Sequence, residues 1–458
     1  MAAYLTQRIS HPHHGIPVSR SETPAPEKTA KCLAPIPNVA AKGVPFFTPE
    51  QDPVAGSAVD PQPSGKPIPK LFTPLKIRGI TMPNRIWMSP MCQYSAHEGF
   101  HTPWHITHYG GMIQRGPGLM MIEATSVQPN GRITPEDSGI WLDAHVDTLK
   151  KHVDFAHSQN ALIGIQLAHA GRKASTVAPL LTPAGLGPGA TATDEVGGWP
   201  SDVVGPSDAP FAEHYPTPRA MSLAEIDQFK RDFLSAVRRA VRAGFDVIEL
   251  HFAHGYLVSS FLSPAVNKRT DQYGGSFENR TRLALELVEA ARAAIPKDMP
   301  LFARISATDW LDTNPNWDGG ASWTVDESVK LAKLFAERGV DVLDVSSGGN
   351  HSHQKVIGGP GYQAPFAKAI KAAVGDAMLV SSVGSIKTGE VARDIIEGGK
   401  DKDDTPLDLI AAGRMFLKNP GLVWSWADEL GVTIHVAHQI GWGFGGRASK
   451  KSGKSTVP

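Results

Sequence analysis

Gly244-Phe-Asp-Val-Ile-Glu-Leu250 and Gly339-Val-Asp-Val-Leu-Asp-Val345 are near copies of one another. In each, a glycine leads into a short, mostly apolar run suited to a buried strand. Each follows a helical stretch that opens with a capping box, Ser222-Leu-Ala-Glu225 before the first and Thr324-Val-Asp-Glu327 before the second. The helix ahead of Gly244 carries Leu223, Ile226, Phe229, Phe233, Val237 and Val241 at spacings of three and four, which makes one apolar face. Gly244 and Gly339 stand where a left-handed residue ends a helix. The repeated unit is helix, glycine, buried strand.

Working outward, the same template predicts strands at 85–91, 118–127, 162–169, 301–307, 378–385 and 407–414, which with the two copies makes eight. Helical stretches are predicted at 105–115, 144–159, 223–243, 278–295, 324–338, 365–374, 388–398 and 420–430. Eight alternating units point to an α/β fold, a (β/α)8 TIM barrel in a single domain, with a doubly wound open sheet as the rival. Two insertions fall on the side where barrel active sites form and are candidate lids. Residues 177–221 hold eight prolines and six glycines without a period, and residues 309–320 are rich in Trp, Asn and Asp.

The chain has 458 residues, of which 41% are hydrophobic and 20% charged, enough apolar material for a sizeable core. Lys plus Arg equal Asp plus Glu at 45 each, so no net attraction to nucleic acid is built in. A small-molecule partner is the expectation. No apolar run is long enough to span a membrane. The only cysteines are Cys32 and Cys92, which excludes a disulfide framework or a four-cysteine cluster within one chain and suits a reducing, cytoplasmic setting. Thirteen of the 37 prolines lie in the first 69 residues, so residues 1–69 read as a disordered Pro-rich extension. Residues 70–442 form the expected barrel and 443–458 a basic flexible tail.

Polar residues gather at the C-terminal ends of the predicted strands, where this fold places its chemistry. Gly384 closes strand seven and Gly413-Arg414 strand eight, a glycine-rich phosphate site with an arginine fork. Gln166 and Arg304 project into the barrel mouth, where the pyrimidine edge of a flavin would satisfy both, no strand-end carboxylate standing out as a partner for Arg304. An internal salt bridge is the alternative. His251 and His254, with Tyr256 beside them, suit an oxyanion site in which imidazoles hold a substrate oxygen and the phenol delivers a proton. A metal site with Cys92 as third ligand, as in a zinc-dependent hydrolase, and a purely structural role remain open at this point.

With those residues in place, the chain resembles the Old Yellow Enzyme family of flavin-dependent ene-reductases, in its thermophilic-like branch. Asn84-Arg-Ile, Ser89-Pro-Met-Cys-Gln-Tyr94, Gln166-Leu-Ala-His-Ala-Gly-Arg-Lys173, His251-Phe-Ala-His-Gly-Tyr256, Asn267-Lys-Arg-Thr-Asp-Gln-Tyr-Gly-Gly and Ala412-Gly-Arg414 carry the resemblance. Cys92, where other branches have Thr, marks the branch. The resemblance implies noncovalent FMN held by Ser89, Pro90, Met91, Cys92, Ala124, Gln166, Arg304, Gly413 and Arg414. It implies that Tyr94, His251 and His254 hold the substrate and that Tyr256 protonates it. The implied activity is ping-pong reduction of the C=C bond of α,β-unsaturated carbonyl compounds by NADPH or NADH, the other candidate substrates being nitro compounds or nitrate esters. Related bacterial members end in Arg-Gly-Trp, whose arginine enters a neighbouring subunit's site. Here Ile440-Gly-Trp442 stands at that place, which bears on the possible homodimer.

Overall fold

The computed structural model describes residues 39–182, 189–399 and 404–445. Eight parallel strands form a closed barrel in strictly sequential order. They are β1 (Ile86–Met88), β2 (Leu119–Ser126), β3 (Ile163–Ala168), β4 (Val247–Phe252), β5 (Leu301–Ser306), β6 (Val342–Ser346), β7 (Leu379–Ser382) and β8 (Leu409–Ala412). The surrounding helices are α1 (Pro103–Ile113), α2 (His145–Ser158), α3 (Leu223–Ala243), α4 (Phe277–Ala294), α5 (Val325–Glu337), α6 (Ala364–Val374), α7 (Gly389–Glu397) and α8 (Leu422–Leu430). The (β/α)8 expectation holds, and the open sheet is excluded by the β8–β1 pairing that joins Ile410 to Ile86. No helix among the described residues is long and apolar enough to cross a membrane.

The repeated unit behaves as its residues dictate. Ser222 and Glu225 close a reciprocal capping box on α3, and Gly244 ends the helix at φ 92°. The buried face of α3 runs through Ile226, Phe229, Phe233, Val237 and Ala240, whereas Leu223, in the first turn, is exposed. The third residue of each copy then works as a clamp. Asp246 accepts the backbone N–H of Ile163 at 2.8 Å, and Asp341 accepts that of Leu301 at 2.8 Å. Asp408 does the same for Val380 at 2.9 Å. Strands β4, β6 and β8 thus each begin with a carboxylate that satisfies the neighbouring odd-numbered strand at its N-terminal end.

The expected extension over residues 1–69 needs correction where it is described. Residues 39–69 are ordered against the N-terminal end of β1 and against residues 433–439. Asn84 Nδ2 donates to Gly56 O and to Gly116 O, while Gly56 and Val59 N–H groups donate to His435 and Thr433 carbonyls. Gln51 is buried and bonded to Gln439. Prolines remove periodicity without removing these long-range partners, so composition alone could not reveal them. Residues 1–38 and the tail beyond 445 lie outside the described residues.

Under the barrel wall, His101, His105, Tyr109 and His152 form a buried aromatic cluster. His101 Nδ1 meets His152 Nε2 at 2.9 Å, and His101 Nε2 meets Ser138 Oγ at 2.7 Å. Burial holds His101 well below its usual value and His152 down to about 3. Burial and the neighbouring His105 disfavour a charge on either ring. Because the folded pKa values lie below the unfolded one, stability is whole above pH 6.5 and falls as pH drops from there towards 3. At pH 5 the His152 ring should cost about 2 kcal/mol relative to pH 7, and His101 acts in the same direction. Thermal melts should show that loss, and His101→Leu with His152→Leu should reduce it; an unchanged acid slope would contradict the assignment.

Candidate active site

The C-terminal mouth of the barrel is built by loops that touch backbone to backbone. A Cβ on Gly255 (φ 71°) would lie 2.0 Å from Gly349 O, and one on Gly349 (φ 93°) 2.4 Å from the His254 carbonyl. Glycine is needed at both positions for this contact between the loops after β4 and β6. Between them His254 itself adopts φ 63°. Its conformation is held from three sides. The N–H donates to Ser306 Oγ at 2.8 Å, Lys173 Nζ donates to the carbonyl at 2.8 Å, and Nε2 meets Ser346 Oγ at 2.7 Å.

These contacts bring the predicted trio together. The rings of His251 and His254 are 5.2 Å apart, those of His251 and Tyr256 5.1 Å, and those of His254 and Tyr256 6.4 Å. Burial and the charge of Arg304 keep both imidazoles neutral, well below their usual values. Each therefore carries a single N–H. Ser346 Oγ, which His254 Nε2 meets, also donates to Gln363 Oε1 at 3.4 Å, and the same oxygen accepts Ser347 Oγ at 2.5 Å. His251 Nδ1 is buried without a partner among the described residues. Burial, with Cys92, Tyr94, Asp137 and Tyr215 nearby, pushes the Tyr256 phenol well up. A small pocket opens beside Tyr256, lined also by Ala124, Ile133, Asp137 and Ala168.

The β1 loop sits beside this trio. Ser89 N donates to Ala412 O at 3.0 Å, which sets residues 89–92 against the end of β8. A Cβ on Gly413 would meet Met91 Sδ at 3.1 Å. Tyr94 takes φ 50°. Cys92 is a half-buried free thiol, pushed well above its usual value by burial and by Asp137 and Glu123, and so uncharged. No group of three His, Cys, Asp or Glu side chains poised for a metal occurs among the described residues, His251, His254 and Cys92 included. Along β2 the register shifts between Ile122 and Ala124. The shift turns Glu123 outward, where it accepts Tyr109 Oη at 2.6 Å and Gln93 N at 3.2 Å, and brings Ala124 into line with Gln166.

Arg304 and Gln166 do not face an apolar mouth. Arg304 Nε lies 2.9 Å from Asp344 Oδ2, and Gln166 Nε2 donates to Glu249 Oε2 at 2.7 Å. The expectation that no strand-end carboxylate partners Arg304 is thereby corrected: the salt bridge exists, one strand away. Asp344 and Glu249 occupy the sixth positions of the two near copies, a signal that was present in the sequence. On the far side of the mouth, Gly384 (φ 119°) ends the β7 loop, and exposed Arg414 opens the short helix Arg414–Lys418.

Both insertions border the mouth. Arg172 donates to the carbonyls of Ala209 and Pro210, and Lys173 Nζ lies 3.9 Å from the Phe211 ring centroid. Trp310 Nε1 donates to Ser347 Oγ at 2.8 Å. Lys173 closes a strand-end motif and Ser346 directly follows the second near copy, yet their positioning roles depend on contacts between loops and could not be read from spacing.

The donor set fits an FMN. Gln166 bonds Glu249 through Nε2, which leaves its carbonyl oxygen without a partner among the described residues, Arg304 is in register with His251, and Gly384, Gly413 and Arg414 offer N–H and guanidinium donors for a phosphate. Residues 70–430 match the model of the NADH:flavin oxidoreductase / NADH oxidase family. An NADH:flavin oxidoreductase of Gibberella zeae is 51% identical over 92% of this chain and 98% of its own length. An NADPH dehydrogenase of Bacillus subtilis is 39% identical over 81% of this chain and 99% of its own. Among solved structures, a morphinone reductase superposes with a TM-score of 0.61 at 27% identity, covering 80% of this chain and 91% of that one. The chain belongs to the NADH:flavin oxidoreductase / NADH oxidase family and is an FMN-dependent oxidoreductase of the ene-reductase type on a (β/α)8 barrel.

Proposed function

We propose that the protein reduces the activated C=C bond of α,β-unsaturated carbonyl compounds at the expense of NADPH or NADH, with His251 and His254 holding the carbonyl oxygen and Tyr256 supplying the proton. The observation that carries this reading is the convergence of the two neutral imidazoles and the phenol at one point of the mouth. Bound FMN supplies a two-electron carrier that takes hydride from a nicotinamide and passes it to an electron-poor carbon. Gln166, Arg304, Gly384, Gly413 and Arg414 are the residues that would hold it, with Ser89, Pro90, Met91, Cys92 and Ala124 along the neighbouring loops.

The chain's own groups do the rest. Neutral imidazole N–H donors gain strength as charge grows on the carbonyl oxygen, so they favour the transition state over the ground state. Ser346 and Lys173 fix His254 so that little reorganisation is needed at that moment. A phenol with a raised pKa keeps its proton from solvent and yields it to a strongly basic carbon. Tyr94, one of the groups that raise the Tyr256 phenol, would complete the substrate wall. Cys92, the one cysteine among the described residues, suits a reducing cytoplasm.

A visible spectrum tests the reading. The purified protein should be yellow, bleach anaerobically with NADPH and regain colour with 2-cyclohexen-1-one. Bleaching without recovery by any enone would remove the assignment.

A further inference from the structure

Beside Gln166 and Arg304, the barrel interior holds two buried carboxyls, Glu249 and Asp344, that the mechanism above does not use; on β5 Arg304 is in register with His251, so Glu249 stands one inward position below it on β4. Gln166 on β3 and Glu249 on β4 are in register, as are Arg304 on β5 and Asp344 on β6, and Asp344 and Ser381 on β7. Trp87 Nε1 on β1 donates to Ser381 Oγ at 2.9 Å. Glu249, Asp344 and Ser381 are wholly buried. Glu123 on β2 is turned away towards α1, and His251, two residues further along β4, is neutral. The set contains two carboxyl groups and one guanidinium.

Such a set cannot be fully ionised without leaving a net negative charge in a low-dielectric interior. The two carboxyls are not equivalent. Asp344 has the guanidinium of Arg304 at 2.9 Å, whereas Glu249 has only the neutral amide of Gln166 at 2.7 Å. Glu249 Oε1 and both carboxylate oxygens of Asp344 lack a hydrogen-bond partner among the described residues, so the nearby guanidinium is what distinguishes the two carboxyls.

We propose that Glu249 and Asp344 share one proton, resting on Glu249, and that this proton sets the charge of the barrel floor under the flavin. With the proton in place the set is neutral. When it leaves to solvent, Glu249 becomes a carboxylate and the set carries one negative charge, which opposes any further negative charge in the mouth above. Burial, and next the charge of Asp344, push Glu249 up to about 8, against the opposing pull of Arg304. Asp344 is also raised by burial, with Arg304 opposing. The switch therefore works between about pH 7 and 9. Its effect on the flavin rests on the function proposed above; the shared proton itself does not.

Infrared difference spectra of the purified protein between pH 6 and pH 9 test the proton directly. A carboxylic acid C=O band should be lost through about pH 8 in the wild type and be absent from Glu249→Gln. Asp344→Asn removes the like charge and frees Arg304, so the band should vanish at lower pH. It also serves as the test should Glu249→Gln not fold. No such band in the wild type, or a band that neither substitution changes, overturns the proposal.

A second readout follows the flavin. Equilibrated against a redox dye, reduction should become about tenfold less favourable from pH 7 to pH 9, beyond the change shown by free FMN, and Glu249→Gln should abolish that excess. An excess that persists in Glu249→Gln overturns the link between the proton and the flavin. A protein that shows the band but is not bleached by NADPH would instead count against the proposed function.

Discussion

Replacing His251 and His254 together by alanine is expected to lower kcat/KM for 2-cyclohexen-1-one by about 10³-fold or more, with FMN still bound. Removal of one preorganised donor from an oxyanion site typically costs 10²–10³-fold, and here both donors go. The loss should appear in the half-reaction with the enone, since the imidazoles act on the oxygen that gains charge there. The fold should tolerate the change. His251 Nδ1 has no partner among the described residues to leave stranded, and Ser346, once freed from His254, still has Gln363 Oε1 within 3.4 Å. The backbone of His254 keeps its bonds to Ser306 and Lys173, because both are made by main-chain atoms. Stopped-flow absorbance of the two half-reactions checks the result. Loss of the flavin on purification would assign the pair a structural role instead.

Tyr256→Phe should slow reoxidation by the enone by about 10²–10⁴-fold while leaving reduction by NADPH unaltered, the range over which a positioned proton donor contributes. The substitution keeps the ring that stands 5.1 Å from His251 and removes only the hydroxyl. Its consequence is therefore chemical rather than steric. A solvent deuterium effect on reoxidation by the wild type should be lost or altered in the variant. Equal slowing of both half-reactions would mean that Tyr256 shapes the pocket and is not a dedicated acid.

Much of this was legible in the chain because it depends on local order. Capping boxes, a glycine at each helix end and the alternation of buried strand with amphipathic helix are properties of neighbouring residues. They placed α3 at 223–243, where it is found, and located all eight strands. The trio of His251, His254 and Tyr256 was equally legible, since three residues on one strand end and its turn cannot be far apart. By contrast, the partner of Arg304 was missed although Asp344 lies within the quoted copy. Alternation says that a strand residue faces inward, but not which inward residue of the next strand it meets.

The sequence by itself determined the barrel, the end of it that carries chemistry and the residues that crowd there, because periodicity, capping and strand polarity are written at short range. Tertiary structure alone decided the rest. The register shift between Ile122 and Ala124 turned Glu123 out of the barrel. The crossing of Gly255 with Gly349 fixed His254, and the long-range bonds of residues 39–69 drew the proline-rich segment onto the fold. Closure of the sheet set Glu249, Arg304 and Asp344 together in the buried barrel interior, where charge depends on every group nearby.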